Sequence, residues 1–339
     1  MRNIKAYADT EIVEFTGPMS GLPRPWSLLL GENATGKSTF LRCIALAANG
    51  LGLANEIESR AASYLRLGAE AGFIEVLFGL RVSHNESTAE MVEIPVGLEI
   101  RADESAFRPI ERLKEMTFGK IVSAERLGLR RNQTILDYGL VCGYGATRGL
   151  TEEPTGLVGE TGKVALDRVS PLFSPFVRLI NPDVLGKMLA TGDVSNFLNP
   201  PSSTLEPAIR AALGQMLSHI LSGIGEFTPD DPSRIELDEI RIPLRDLSDG
   251  YGSLLALVGH LIHHALRLTG WKTDPAEVAG LVLIDEIDLH LHPVWQRHVV
   301  RDLARAFPHL QFIATSHSPM VAGGLPEESL LVLRKVKTG

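Results

Sequence analysis

Cysteine is scarce in this sequence, and long apolar runs are missing from it. The two cysteines among 339 residues, Cys43 and Cys142, are too few for a disulfide framework, and no cysteine spacing typical of a zinc site occurs. The most apolar helical stretch, residues 254–266, is interrupted by three histidines and is too short to cross a bilayer. The first residues carry no apolar signal segment. We therefore expect a protein of the reducing cytoplasm that does not span a membrane.

Positive charge is also in deficit. The 33 lysines and arginines are outnumbered by 41 aspartates and glutamates, which gives a formal net charge of −8. This balance argues against a domain whose whole surface surrounds nucleic acid, although a local basic groove remains compatible with it. Arg126, Arg130 and Arg131 form one basic cluster, which fits either a solvated face or a contact with DNA. Heptad repeats and internal repeats are both missing, which excludes a long coiled coil and a solenoid.

The apolar patterns predict a mixed α/β fold. Strands are predicted at residues 5–15, 26–30, 73–82, 91–101, 235–244, 281–284, 312–315 and 330–333, with one or two more within 119–124 and 135–144. The pair at 73–82 and 91–101 is expected to be antiparallel. Asn181 and Pro182 predict the start of a short helix, and residues 203–206 form a capping box before a longer one. One face of that longer helix is apolar, as expected for core packing.

The first chemical motif is a phosphate-binding loop. Residues 31–38 read GENATGKS and match the full P-loop pattern between an apolar strand and a helix, where the alternative is an ordinary glycine-rich turn. Its main-chain N–H groups and the helix N-terminus favour phosphate oxygens. We expect Lys37 to bridge the β- and γ-phosphates of ATP in catalysis, and the Ser38 hydroxyl to bind Mg²⁺. The predicted nucleotide contacts are Gly31, Asn33, Ala34, Thr35, Gly36, Lys37, Ser38 and Thr39.

The second motif is an apolar strand that ends in two carboxylates, Asp285 and Glu286. Ligands of open α/β sheets collect at the carboxyl ends of the strands. Asp285 is therefore predicted to hold Mg²⁺, and Glu286 to act as the general base that activates water. The alternative is that both acids only cap the following turn.

Two further motifs complete a set. His317 follows the next apolar strand, and a lone histidine is usually structural. Its position resembles that of the switch histidine of ABC-type ATPases, which implies a catalytic contact with the γ-phosphate. Residues 247–253 read LSDGYGS before an apolar helix and resemble the signature of ABC-type ATPases. The resemblance implies that Ser248 and Gly250, at a helix N-terminus, bind the nucleotide held by an opposite protomer. Asp249 stands where a glycine is usual, and a carboxylate beside phosphate is repulsive unless it points away.

The order of P-loop, signature, acidic strand and histidine resembles that of the ABC-type ATPases. Residues 285–293 and the segment 143–148 are similar to the AAA-like members found in bacterial defence and repair, including relatives of SMC proteins, OLD nucleases, and Septu and retron ATPases. Two interpretations of Arg148 in that segment stay open. It could contact phosphate or a neighbouring subunit, or it could stabilise a turn. The family also has a glutamine loop between the P-loop and the signature, and Gln133 is the one weak candidate for it. His290 and His292 beside Asp288 fit a loop that faces the dimer partner, or less well a zinc site.

The resemblance implies a P-loop NTPase of the ABC type with an antiparallel β subdomain and an inserted, mainly helical lobe. The expected division is 1–150, 151–244 and 245–339. It also implies ATP and Mg²⁺ as cofactors and a homodimer or higher oligomer formed through ATP-sandwiched heads. The leading hypothesis is an ATP-driven switch that controls a separate effector such as a nuclease in antiphage defence. Alternatives are a repair ATPase that acts directly on DNA, and a nucleotide-clamped scaffold with little hydrolysis. Since the sequence ends at Gly339, a nuclease would be another polypeptide or lie beyond a truncated chain.

Overall fold

The computed structural model describes most of the chain and divides it into two compact units. The residues outside the description are 10–11, 18–21, 86–87, 111–134, 138, 151–163, 176, 196–203, 221–225, 229–230, 238–239 and 336–339. One unit comprises Met1–Glu14, Glu32–Val141 and Arg334–Gly339, and the other comprises Phe15–Gly31 and Cys142–Leu333. The predicted strand at 119–124, the basic cluster at Arg126, Arg130 and Arg131, and Gln133 all lie outside the described residues.

The first unit contains a long helix and an antiparallel sheet. Helix α1 (Lys37–Ile57) is kinked at Gly50, whose φ of 70° is not helical. Strands β2 (Ala71–Asn85), β3 (Thr88–Arg101) and β4 (Arg108–Pro109) form the sheet in that order. Phe73 pairs with Glu99 and Val82 with Glu90, so the predicted antiparallel pair is confirmed. Its alternating apolar side chains are buried, as at Ile74, Leu98 and Ile100.

The second unit is built on a parallel sheet. Its strands are β1 (Trp26–Gly31), β5 (Leu140–Tyr144, of which the last three residues belong to this unit), β9 (Gly280–Ile284), β10 (Leu310–Thr315) and β11 (Leu330–Leu333), in the order β11-β1-β10-β9-β5. The pairs β1–β11, β1–β10 and β9–β10 are parallel. The carboxyl ends of β1, β10 and β9 therefore meet at one edge of the sheet, and this edge carries Gly31, Ser316 and Asp285.

Helices and a small three-stranded sheet complete this unit. They are α2 (Val164–Phe173), α3 (Pro182–Thr191), α4 (Pro207–Ile220), β6 (Glu226–Thr228), β7 (Asp231–Leu237), β8 (Ile240–Pro243), α5 (Asp249–Leu268), α6 (Pro293–Gln296), α7 (Val299–Ala306) and α8 (Pro319–Ala322). Asn181 caps α3 as predicted, because its side chain accepts a hydrogen bond from the Asp183 N–H. The apolar stretch at 254–266 lies within α5 and is buried, so α5 is a core helix. None of the described helices is long and apolar enough to cross a membrane.

Several predicted elements are wrong in position. The described part of residues 5–15 contains no strand, because Lys5 adopts a φ of 41° and the chain turns back so that Ile4 and Tyr7 bond each other. Helix α4 begins at Pro207 instead of directly after residue 203, since Thr204 forms a bridge with Asp193. The single strand expected at 235–244 is an antiparallel pair, β7 and β8. The strand expected within residues 135–144 is confirmed as β5 (Leu140–Tyr144).

Candidate functional site

The P-loop of the first unit is held in shape by its own main chain. Ala34 and Gly36 have φ values of 62° and 95°, in the left-handed region. The carbonyl oxygen of Glu32 accepts hydrogen bonds from the Thr35 hydroxyl at 2.8 Å and from Lys37 Nζ at 3.0 Å. Lys37 is the first residue of α1 and is 7% exposed. The loop is thus folded tightly around a buried ammonium group, as phosphate binding requires.

Gly36 is required by both backbone conformation and packing. The Tyr7 hydroxyl donates to the Gly36 carbonyl at 3.0 Å. A Cβ atom at Gly36 would lie 2.8 Å from the Tyr7 ring, closer than real Cβ contacts allow. Burial raises the pKa of Tyr7, so its phenol remains a neutral donor at physiological pH. The turn at residues 4–7, where the strand predicted at 5–15 was expected to begin, therefore supports the P-loop through Tyr7.

The acidic pair lies at the carboxyl end of β9, as predicted. Asp285 is 6% exposed, and its Oδ1 accepts a hydrogen bond of 2.6 Å from the Thr315 hydroxyl. The same hydroxyl oxygen accepts the Glu286 N–H at 2.7 Å. Glu286 is partly exposed and has a φ of 49°, a left-handed conformation that non-glycine residues rarely adopt. Thr315, the last residue of β10, thus connects both acids, and sequence reasoning missed it.

Arg148 is buried beneath this turn and contacts its main chain. Its NH1 group donates to the Asp285 carbonyl at 2.7 Å, and NH2 donates to the Glu286 carbonyl at 3.0 Å. Burial lowers the pKa of the guanidinium to about 10, and the neighbouring acids Asp285, Asp288 and Glu286 oppose that shift. Of the two roles left open by the sequence, these contacts are those of a turn-stabilising arginine.

The loop after β10 is joined to the loop after β9. The His317 N–H donates to Asp288 Oδ1 at 3.3 Å, while the residue as a whole is exposed. The Ser318 hydroxyl donates to Gln296 Oε1 at 2.6 Å, and Gln296 Nε2 donates to the Leu291 carbonyl at 2.8 Å. His317 is therefore presented to solvent from a loop whose main chain is fixed at several points.

The signature segment forms the start of α5. Ser248 occupies the N-cap position without a side-chain cap hydrogen bond, and both Ser248 and Asp249 are exposed. Gly250 is buried, and a Cβ atom there would lie 2.4 Å from the His290 carbonyl oxygen. The Tyr251 and Trp295 rings meet edge to face with centroids 3.7 Å apart. Packing against the loop after β9 thus explains the glycine at 250.

Ser38 and Asp285, the predicted magnesium ligands, carry donors that fit that ion, because a serine hydroxyl and a carboxylate are oxygen ligands.

Across the described part of the chain, no group of three or more His, Cys, Asp or Glu side chains is arranged to hold a metal. His292 has a local role, since its Nδ1 accepts the Val294 N–H at 3.4 Å and caps α6. His290 and His292 therefore give no support to a zinc site.

The second unit brings four of the predicted site residues to the carboxyl ends of neighbouring strands of its sheet. Gly31, the acidic pair and His317 follow the adjacent strands β1, β9 and β10. The remaining P-loop residues, 32–39, belong to the first unit and continue directly from Gly31 along the chain.

The chain is similar to several known proteins. Residues 201–322 match a family described as "AAA domain, putative AbiEii toxin, Type IV TA system". The Septu protein PtuA of Bacillus mycoides (strain KBAB4) is 30% identical over 315 residues, which cover 91% of this chain and 36% of that protein. The retron Ec83 probable ATPase of Escherichia coli is 34% identical over 100 residues, or 30% of this chain and 18% of that protein. The SMC head domain from Thermotoga maritima superimposes with a TM-score of 0.48 at 15% identity, over 99% of this chain and 93% of that domain.

The chain spans about a third of the length of the Septu protein and a smaller share of the retron protein. The similarity to the Septu protein nevertheless extends over almost the whole of this chain. The P-loop, the signature, the acidic strand and the histidine occur here in the order of ABC-type ATPases. The chain is therefore similar to the Septu protein PtuA and to probable ATPases of retrons, and it has an α/β fold and the motif order of an ABC-type ATPase.

Proposed function

We propose that this chain binds and hydrolyses ATP as a dimerising switch that controls a separate effector, most simply a nuclease, in antiphage defence. The observation that carries the proposal is the acidic pair at the end of β9. Asp285 and Glu286 are held there by Thr315 and Arg148. Strand β9 pairs with β10, which leads to His317, and β10 pairs with β1, which leads to the P-loop. A rigid pair of carboxylates at this edge suits metal-assisted attack of water on a phosphate.

Nucleotide binding is assigned to the P-loop. Its main-chain N–H groups and the N-terminus of α1 provide partial positive charge, and Lys37 neutralises the β- and γ-phosphates. Ser38 and Asp285 are the residues that would hold Mg²⁺, which would offset the charge of the phosphate oxygens.

Hydrolysis and dimerisation are assigned to the second unit. Glu286 accepts the proton of the attacking water, and His317 contacts the γ-phosphate and responds to its loss. Ser248 and Gly250 contribute the N-terminus of α5 to the nucleotide of the opposite protomer. The exposure of Ser248 supports such a contact, since an exposed N-cap remains accessible to a partner.

The effector and the defence pathway are supported by the relatives. The protein that matches over most of this chain is a Septu protein, and others are retron ATPases. A cycle in which ATP joins two heads and hydrolysis separates them provides the conformational change that an effector needs.

Glu286→Gln tests the proposed hydrolysis directly. The variant keeps the shape of the side chain but lacks the base, so it should bind ATP and release phosphate at least about 10²-fold more slowly. It should also accumulate as an ATP-bound dimer in light scattering. Glu277→Gln, the same change in the exposed turn before β9, is the control and should behave as the wild type. Wild-type turnover by Glu286→Gln would overturn the assignment.

A further inference from the structure

Arg148 makes four hydrogen bonds, and each of them is local to the second unit. Three go to main-chain carbonyls, those of Gly145 at 2.9 Å, Asp285 at 2.7 Å and Glu286 at 3.0 Å. The fourth runs from Nε to the Ser253 hydroxyl at 3.3 Å. The side chain is buried, with 7% of the residue exposed. A buried cation is thus satisfied by carbonyl and hydroxyl oxygens, in a geometry that the planar guanidinium fork can serve.

Two of these carbonyls belong to the residues assigned to the chemistry. Glu286 has the left-handed φ of 49°, and such a conformation persists only where its surroundings hold it. Arg148 donates a hydrogen bond to the Glu286 carbonyl, while the Thr315 hydroxyl oxygen accepts one from the Glu286 N–H at 2.7 Å. The main chain of Glu286 is therefore fixed on both sides.

The fourth bond reaches a different element. Ser253 lies in the first turns of α5, the helix that the signature segment opens. The same helix contacts the loop after β9 at Gly250, beside the His290 carbonyl. A displacement of the start of α5 would therefore be transmitted through Ser253 and Arg148 to the turn at Asp285 and Glu286.

We propose that Arg148 is a positioning residue that fixes the Asp285–Glu286 turn and links it to the signature helix α5. The inference rests on the proposed ATPase function, and it adds a route by which occupation of the signature changes the rate of hydrolysis on the same protomer. Arg148 touches no phosphate in this role. It acts through the main chain of the residue that activates water.

Arg148→Lys is the first test. Lysine keeps the positive charge but has no planar fork, so it cannot bond both turn carbonyls and Ser253 together. We expect ATP affinity within about threefold of the wild type and a kcat at least about 10-fold lower, because small displacements of a catalytic group are costly. Arg305→Lys, at an exposed position in the last turn of α7, is the matched control and should change neither value. A wild-type kcat in Arg148→Lys, or a parallel loss of ATP affinity, turnover and thermal stability, would overturn the proposal.

Ser253→Ala tests the link to α5 and leaves the three carbonyl contacts in place. This variant should fold and bind ATP normally, with a kcat lowered about threefold, and its effect should vanish on the Arg148→Lys background because both changes break one connection. Additive effects of the two substitutions, or a wild-type kcat in Ser253→Ala, would show that the link is not used. Wild-type protein and Glu286→Gln are assayed beside them. If the wild type itself releases no phosphate, the proposed function fails before Arg148 is tested.

Discussion

At the scale of single residues, the arrangement at the end of β9 depends on one hydroxyl group. Thr315 donates to the Asp285 carboxylate at 2.6 Å and accepts the Glu286 N–H at 2.7 Å, and it is fully buried. An unpaired buried polar group costs about 1–3 kcal/mol, so loss of this hydroxyl affects both acids at once. The proposed metal ligand and the proposed base therefore share one support.

Thr315→Val removes that hydroxyl and keeps the shape of the side chain. We expect a stable protein that still binds ATP but hydrolyses it at least about 10-fold more slowly, since the Glu286 N–H loses the hydroxyl that accepts its hydrogen bond. Thr315→Ser keeps the hydroxyl and is the matched control, with turnover near that of the wild type. Phosphate release and ATP titration measure both effects. Equal turnover in the valine and serine variants would remove Thr315 from the account.

At the scale of elements, α5 joins the signature to the loop after β9. Gly250 allows this contact, because a Cβ atom there would lie 2.4 Å from the His290 carbonyl oxygen. Gly250→Ala should therefore displace that loop and lower both turnover and the thermal unfolding midpoint. Gly214→Ala in α4 is the control, because a Cβ atom there meets nothing within 4 Å. Helix propensity favours that alanine by about 0.5–1 kcal/mol. If both variants unfold at the same temperature, the close packing at Gly250 is not important.

Helix α5 also carries a buried cluster of three histidines, His260, His263 and His264. The Tyr144 hydroxyl bonds His260 Nδ1 at 3.0 Å, and the two Nε2 atoms of His260 and His264 are 3.2 Å apart. Burial lowers the pKa of His260 to about 3 and those of the other two well below the ordinary value. The positive charges that face the cluster, Arg168 on α2 and Arg267 on α5, oppose protonation further.

These depressed pKa values predict a stability that depends on pH. The unfolded chain takes up protons near pH 6.5, whereas the folded cluster resists them, so the stabilisation is complete above that pH and is lost as the pH falls. Each histidine lowers the free energy of unfolding by up to about 1.4 kcal/mol for each pH unit below 6.5. His264→Gln keeps a polar partner for His260 and should flatten the decline of unfolding free energy between pH 7 and 5.5. His309→Gln, at an exposed site, should leave the decline as it is. A wild-type stability that is constant over this range would contradict the account.

At the scale of the whole molecule, the sequence predicted what is encoded in short continuous segments. The strand before the P-loop, the acidic strand, the strand before His317 and the antiparallel pair each have a local pattern, and the structure confirms these strands. The division at residues 150 and 244 stays a prediction, as do the roles of the site residues.

The supports of the site were beyond sequence reasoning because they join distant segments. Arg148 and the Asp285 carbonyl are separated by 137 positions, and Thr315 and Asp285 by 30. A lone threonine or arginine has no pattern that reveals such partners. The strand expected at residues 5–15 failed for a similar reason, since contacts of Tyr7 with Gly36, not alternation, shape the described part of that segment.

The central claim is that each active site is completed by a second protomer, and mixing two inactive variants tests it most directly. Lys37→Ala lacks the phosphate-binding ammonium but keeps a sound signature, whereas Ser248→Arg keeps the P-loop and blocks the surface between protomers. Each alone should release almost no phosphate, and Ser248→Arg should still bind ATP as a monomer. Their heterodimer holds one intact composite site, so partial ATPase activity should return on mixing. A mixture of Lys37→Ala with the Lys37→Ala/Ser248→Arg double variant holds none and should stay inactive. Wild-type hydrolysis by monomeric Ser248→Arg, or no recovery in the first mixture, would contradict the account.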